Sequence, residues 1–155
     1  CVAKSLSTAL TNQNRVLFTT KVKRGDLNNK YPWYLQTLIH AHLDVTVVFI
    51  NQKLFAFELD RKSGLIDWRK EINKNEQVWR QHKLKPEIEE GIIKFMNDIK
   101  LNFGRLDFLV ESEDYYFLEV NPNGQWAWLD LNNENGLLNE MINQISPDSH
   151  HFTSP

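Results

Sequence analysis

Short runs of β-branched and aromatic residues, broken by polar turn formers, dominate the first sixty positions of the chain. "CVAKSLS" (1–7) and "RVLFTTKV" (15–22) read as a hairpin or as two neighbouring strands around the polar stretch "TALTNQN". "RGDLNNKYP" (24–32) is rich in turn formers and reads as a loop or lobe boundary. "WYLQTLI" (33–39) follows as a third strand. The clearest hairpin is "LDVTVVFI" (43–50), the two-residue turn "NQ", and "KLFAFELD" (53–60). The stretch 61–77 is charged and irregular.

The period then changes. Pro86 suits a first helical turn, and Ile88, Ile92, Phe95, Met96 and Ile99 recur at helical spacing, which predicts a helix with one core-facing stripe. "NFGRLDFLVE" and "YYFLEVN" predict a second hairpin around "SED" (112–114). "NGLLNEMINQI" (135–145) predicts a short amphipathic helix with Leu137, Leu138, Met141, Ile142 and Ile145 on one side. Residues 147–155 have little to bury and read as a flexible tail, where His150 and His151 could bind metal but a plain tail is the favoured reading.

Composition narrows the class. A length of 155 residues favours one domain or two small lobes. A chain of this size buries roughly 68–70% of its unfolded surface, so a real core is expected. With a net charge of −2 the chain lacks the basic footprint of a nucleic-acid binder. No apolar run approaches the roughly 20 residues that a membrane span needs, so no membrane partner is expected. Cys1 is the only cysteine; no disulfide framework exists, which suits a reducing cytoplasm. A start at Cys1 already inside a strand-like run gives the expectation that sequence is missing upstream.

The chemistry concentrates in "GRLDFLVESEDYYFLEVNPNGQWAWLD" (104–130). With a loop of three residues, 112–114, Glu111 pairs with Tyr115 and Asp107 lies opposite Glu119. Side chains alternate faces along a strand, so Asn121 shares the face of Glu119. Directly opposed carboxylates repel, and a one-residue slip would turn one strand over relative to the other. Such a pair needs a reason. It can share a proton, it can pair with arginines such as Arg105 and Arg69, or it can hold a divalent cation. Two carboxylates and an amide oxygen are hard ligands of the kind Mg²⁺ takes beside substrate phosphates.

The 104–130 segment resembles the C-terminal metal-binding segment of ATP-grasp ligases. "EVNPNGQWAWLD", with the earlier "DWR" (67–69), is similar to the ATP-grasp maturases of ribosomal peptides, the microviridin-type or graspetide ligases. The resemblance runs from Lys4 to about Ile145. It implies an α+β ATP-grasp fold, with residues 1–34 a remnant of the central lobe and 35–146 the C-terminal lobe. It also implies ATP and Mg²⁺ as cofactors, a precursor peptide as substrate, and carboxylate activation as an acyl phosphate before amide or ester formation. On this resemblance Asp107, Glu119 and Asn121 match the Mg²⁺ ligands, and Arg105 and Arg69 match phosphate-side catalytic arginines. Lys4 matches a nucleotide-phosphate lysine, Gln36, Leu38 and Ile39 lie in the hinge at the adenine edge, and Asp44 matches the ribose acid.

Three departures stand beside these matches. Thr46 occupies a position where the maturases usually carry arginine, Thr37 stands where an acidic hinge residue is common, and the stretch after Lys4 contains no glycine. Two other readings remain: a ligase of the same superfamily acting on a small molecule or protein terminus, and a non-catalytic binding module. A homodimer is left open. Residue by residue, plainer roles exist too. Lys4 can be a solvated edge lysine, Asp44 can simply begin a strand, and Arg69 can pair with Asp67 or Glu71. Trp126 and Trp128 can alternate between core and cleft, and Gly124 can supply a turn conformation that a Cβ would strain.

Overall fold

A computed structural model describes residues 1–4, 19–27, 33–61 and 79–146. The side chain of Lys4, the "DWR" segment with Arg69, the stretch after Lys4 and the tail with His150 and His151 lie outside these described features.

Two antiparallel sheets form the frame. β1 (Val2–Lys4) lies between β2 (Thr20–Lys21) and β3 (Tyr34–Gln36) in a small three-stranded sheet. The larger sheet contains β4 (Leu43–Ile50), β5 (Lys53–Asp60), β6 (Arg80–Gln81), β7 (Phe103–Glu111) and β8 (Asp114–Asn121), in the order β6-β5-β4-β7-β8. The two-residue strand β6 was not expected from the sequence; it adds only two pairs to β5, at Phe57 and Glu58.

β4 is the centre of the larger sheet, and all residues from Asp44 to Ile50 are buried. Its near-continuous apolar run is explained by cover on both faces. Val45, Val47 and Phe49 join Leu106, Phe108 and Val110 of β7 beneath α1 (Pro86–Asp98). Val48 and Ile50 face the other way, toward Phe57, Leu129 and Leu137. The β4–β5 turn is Asn51-Gln52, with φ of 42° and 75°, the positive-φ pair that two-residue hairpins favour.

α1 begins with Pro86 at its first position, where no intrahelical N–H is required. Ile92 and Met96 are its buried residues, with Ile88 and Phe95 packed beside them. Truncating Met96, which is fully buried, to alanine would cost about 2–5 kcal/mol. Ile99 does not belong to the stripe: the helix has ended there, and the side chain is 39% exposed.

α2 (Leu137–Ile145) is rotated relative to expectation. Leu137 and Met141 pack inward, while Leu138, Ile142 and Ile145 are exposed. The rotation follows from polar anchors at the start of the helix. Buried Asp130 accepts the backbone N–H of Asn135 at 2.8 Å and of Leu138 at 3.0 Å, and buried Glu140 pairs with Lys53 on β5. Among the described residues, no helix is long and apolar enough to cross a membrane.

Candidate active site

The site lies on the face of the larger sheet opposite α1. Strand register builds it in two rows. Thr46 of β4 pairs with Asp107 of β7, which pairs with Glu119 of β8. One step along, Val48 pairs with Arg105, and Arg105 with Asn121. A hydroxyl, two carboxylates, a guanidinium and an amide therefore share one patch.

The expected opposition of Asp107 and Glu119 is present, but it arises differently. The hairpin loop has two residues, Ser112 and Glu113, so that Glu111 pairs with Asp114 and Phe108 with Phe117. A bulge then leaves Leu118 without a partner residue on β7 and moves Glu119 opposite Asp107. Bulges at such positions re-aim a side chain.

Asp107 is held at both oxygens. The Thr46 hydroxyl donates to Oδ1 at 2.8 Å, and Arg105 donates to Oδ2 at 3.2 Å. Of the arrangements left open by the sequence, the arginine pairing is thus present, and it occupies only one carboxylate oxygen. Arg105 also donates to the carbonyl of Gln125 at 2.9 Å, and Trp128 Nε1 donates to the same carbonyl at 3.2 Å. The guanidinium is therefore fixed between the strand and the loop that follows β8.

That loop explains "NPNGQWAW". Gly124 N–H donates to the Asn121 carbonyl at 3.1 Å, closing a turn with Pro122 at its second position. The Asn121 side-chain oxygen accepts the Asn123 N–H at 3.0 Å. Gly124 does not serve through a left-handed conformation, since it is absent from the positive-φ positions. It is needed for close approach: a Cβ there would meet Arg105 Cβ at 2.6 Å and the Asn121 carbonyl at 3.2 Å. Trp126 and Trp128 do not alternate across a strand. Trp126 caps a 3₁₀ turn (Ala127–Leu129) and Trp128 is its middle residue, and both pack on the cluster around Val48 and Leu137.

A cleft of about 350 Å³ connects this patch to the smaller sheet. Gln36, Leu38, Ile39, Asp44, Asp107 and Glu119 all line it, so six residues singled out in the sequence meet at one concavity. Arg105 and Asn121 do not line it. Asp44 is buried, and Arg61 donates to its Oδ1 at 2.6 Å. Arg61 and Trp79 line the cleft as well and were missed. Arg61 was legible in principle: it directly follows β5, whose last residue pairs with Leu43, one position before Asp44.

The donor set tests whether a cation fits. Among the described residues no group of three or more histidine, cysteine or carboxylate side chains is placed to hold a metal ion by itself. The patch offers two carboxylates plus the Asn121 amide oxygen, which keeps a lone pair beyond its bond to Asn123. That set suits Mg²⁺, which binds through one or two carboxylates and completes its shell with phosphate oxygens and water.

No family model matches the chain, and no curated protein does. Solved structures do. The macrocyclase MdnC of Microcystis aeruginosa MRC, bound with precursor peptide MdnA, is 29% identical with a TM-score of 0.77, over 96% of this chain and 48% of that one. A RiPP-associated ATP-grasp ligase of Chryseobacterium gregarium, in complex with ADP and a leader and core peptide, is 26% identical with a TM-score of 0.82, over 92% and 47%. The ATP-grasp ligase PsnB, complexed with minimal precursor, Mg and ADP, shares the fold at 17% identity and a TM-score of 0.61, over 83% and 40%. The chain spans about half the length of the solved structures it matches. The chain thus carries the ATP-grasp ligase fold and is similar to a macrocyclase and a RiPP-associated ATP-grasp ligase solved with their peptides.

Proposed function

We propose that the cleft binds ATP and Mg²⁺ and that the chain is the nucleotide-handling portion of a ligase that activates a peptide carboxylate. The observation that carries this reading is the polar row Thr46–Asp107–Glu119, whose two carboxylates line the same cleft as Gln36, Leu38 and Ile39. Asp107, Glu119 and Asn121 would hold Mg²⁺. When bound, the cation screens charge on the nucleotide phosphates and orients them.

The remaining roles belong to the chain itself. Backbone groups near Leu38 and Ile39, with Gln36, offer donors and acceptors to an adenine edge. Asp44, steadied by Arg61, offers a carboxylate to ribose hydroxyls. Arg105, fixed by the Gln125 carbonyl and Asp107, presents a preformed positive charge where negative charge builds on oxygen. Lys4 and Arg69 complete the phosphate side in this proposal. In the reaction, a substrate carboxylate oxygen attacks the terminal phosphorus, ADP leaves, and an amine or hydroxyl then displaces phosphate from the acyl phosphate. Residues 35–146 form the C-terminal lobe in this scheme, and residues 1–34 belong to the central lobe. The substrate side is proposed by likeness to ligases solved with precursor peptides.

Titration calorimetry of MgATP into the chain tests the nucleotide reading. Binding that disappears in Glu119→Ala is expected. Absence of binding, in this chain and in a longer protein containing it, would overturn the ligase assignment.

A further inference from the structure

Asp107 accepts from a neutral, buried donor on one oxygen and from a charged donor on the other. Thr46, which is 2% exposed, supplies the neutral one from the middle of β4. We infer that Thr46 is a positioning residue for the cation site: its hydroxyl fixes the rotation of the Asp107 carboxylate so that the remaining lone pairs face Glu119 and the cleft. The inference rests on the proposed Mg²⁺ reading and deepens it.

Three observations support it. First, register places Thr46 directly beside Asp107, so the 2.8 Å bond spans adjacent strands and requires no mobile segment. Second, Asp107 retains 26% side-chain exposure, and the Thr46 hydroxyl and the Arg105 guanidinium are the hydrogen bonds described that restrain its terminal torsion. Carboxylate torsions are broad without such restraint. Third, the two donors do different work. Arg105 adds positive charge, which opposes a cation, whereas the Thr46 hydroxyl adds orientation without charge. Partners that orient a metal ligand commonly change metal affinity by about 10–100-fold when removed. A buried threonine in a central strand could otherwise satisfy only itself, and that simpler role predicts a different pattern.

The test uses Mn²⁺ as the probe, with free Mn²⁺ followed by electron paramagnetic resonance and folding followed by thermal melts. Thr46→Val keeps the branched shape and removes the donor; it is expected to weaken Mn²⁺ binding about tenfold or more. Thr46→Ser restores the hydroxyl and is expected to bind as the parent does, although it loses a methyl group. Thr46→Ala, compared with Thr46→Ser, keeps the test valid if Thr46→Val fails to fold. Equal Mn²⁺ affinity in the serine, alanine and valine proteins would overturn the inference. Asp107→Asn separates the two levels. If it leaves Mn²⁺ binding unchanged, the cation reading itself falls; if it abolishes binding while Thr46→Val does not, only the role of Thr46 falls.

Discussion

Asp107 and Glu119 stand opposite each other because β8 carries one more residue than β7 across their shared stretch, and that residue is Leu118. Without the bulge, a ladder starting from the Glu111–Asp114 pair would bring Leu118 opposite Asp107. Glu119 would then turn toward the α1 side. With Leu118 present, the site depends on that residue bulging out of the ladder.

Deleting Leu118 should therefore be tolerated. A single deletion inside a strand normally turns all later side chains over. Here it would leave Phe117 opposite Phe108 and Glu119 opposite Asp107, now in a regular ladder. The variant is expected to fold with a loss of about 1–2 kcal/mol, from altered local twist and lost Leu118 contacts. Backbone contacts between positions 107 and 119, read by nuclear magnetic resonance, check it. An unpaired or reversed β8 would contradict the assignment of the bulge.

Gly124→Ala tests the contact behind Arg105. The new methyl group would collide with the Arg105 stem and the Asn121 carbonyl, neither of which is the free end of a side chain. A destabilisation of about 1–3 kcal/mol in chemical denaturation is expected. MgADP binding should weaken with it, because the same shift moves the guanidinium away from Asp107. A substitution neutral in both measurements would show that the loop does not position Arg105.

The hairpins and α1 were legible because their signals are local. The alternation in "LDVTVVFI" and "KLFAFELD" and the turn between them specify β4 and β5 directly. The bulge was not legible, since a period of two carries no mark of an extra residue. An overlong loop, 112–114 instead of 112–113, happened to offset the missing bulge, so the Asp107–Glu119 pairing came out correctly. The reason for Gly124 was also hidden. A close approach between β7 and a loop seventeen or more positions downstream depends on tertiary packing, whereas a glycine in a turn suggests backbone freedom first. The face of α2 was misread because Glu140 is buried by a pair with Lys53, 87 positions away, and charge at that position reads as solvent-facing. Thr46 looked like a departure, and its bond to Asp107 becomes visible only once β4 and β7 are in register.

The Lys53–Glu140 pair sets an acid limit on how α2 is held. Hydrogen bonds from Lys53 and then Gln144 hold the Glu140 carboxyl below its ordinary value of 4.5. A carboxyl with a depressed folded-state pKa contributes stability that is present above the unfolded value and is lost as pH falls through the folded one. Glu140→Gln should therefore be less stable than the parent at pH 7, and the gap should close as pH drops below about 4.5. Urea denaturation of both proteins across that range checks it; a gap that does not change with pH would contradict the pairing.

In the proposed reading Asp107 and Glu119 share a cation beneath a nucleotide in the 350 Å³ cleft. A crystal structure of the chain with ADP and Mg²⁺ tests it most directly. Octahedral density contacted by oxygens of Asp107 and Glu119 at about 2.0–2.1 Å, with nucleotide phosphate completing the shell, is expected. ADP bound with its cation held away from both carboxylates would contradict it.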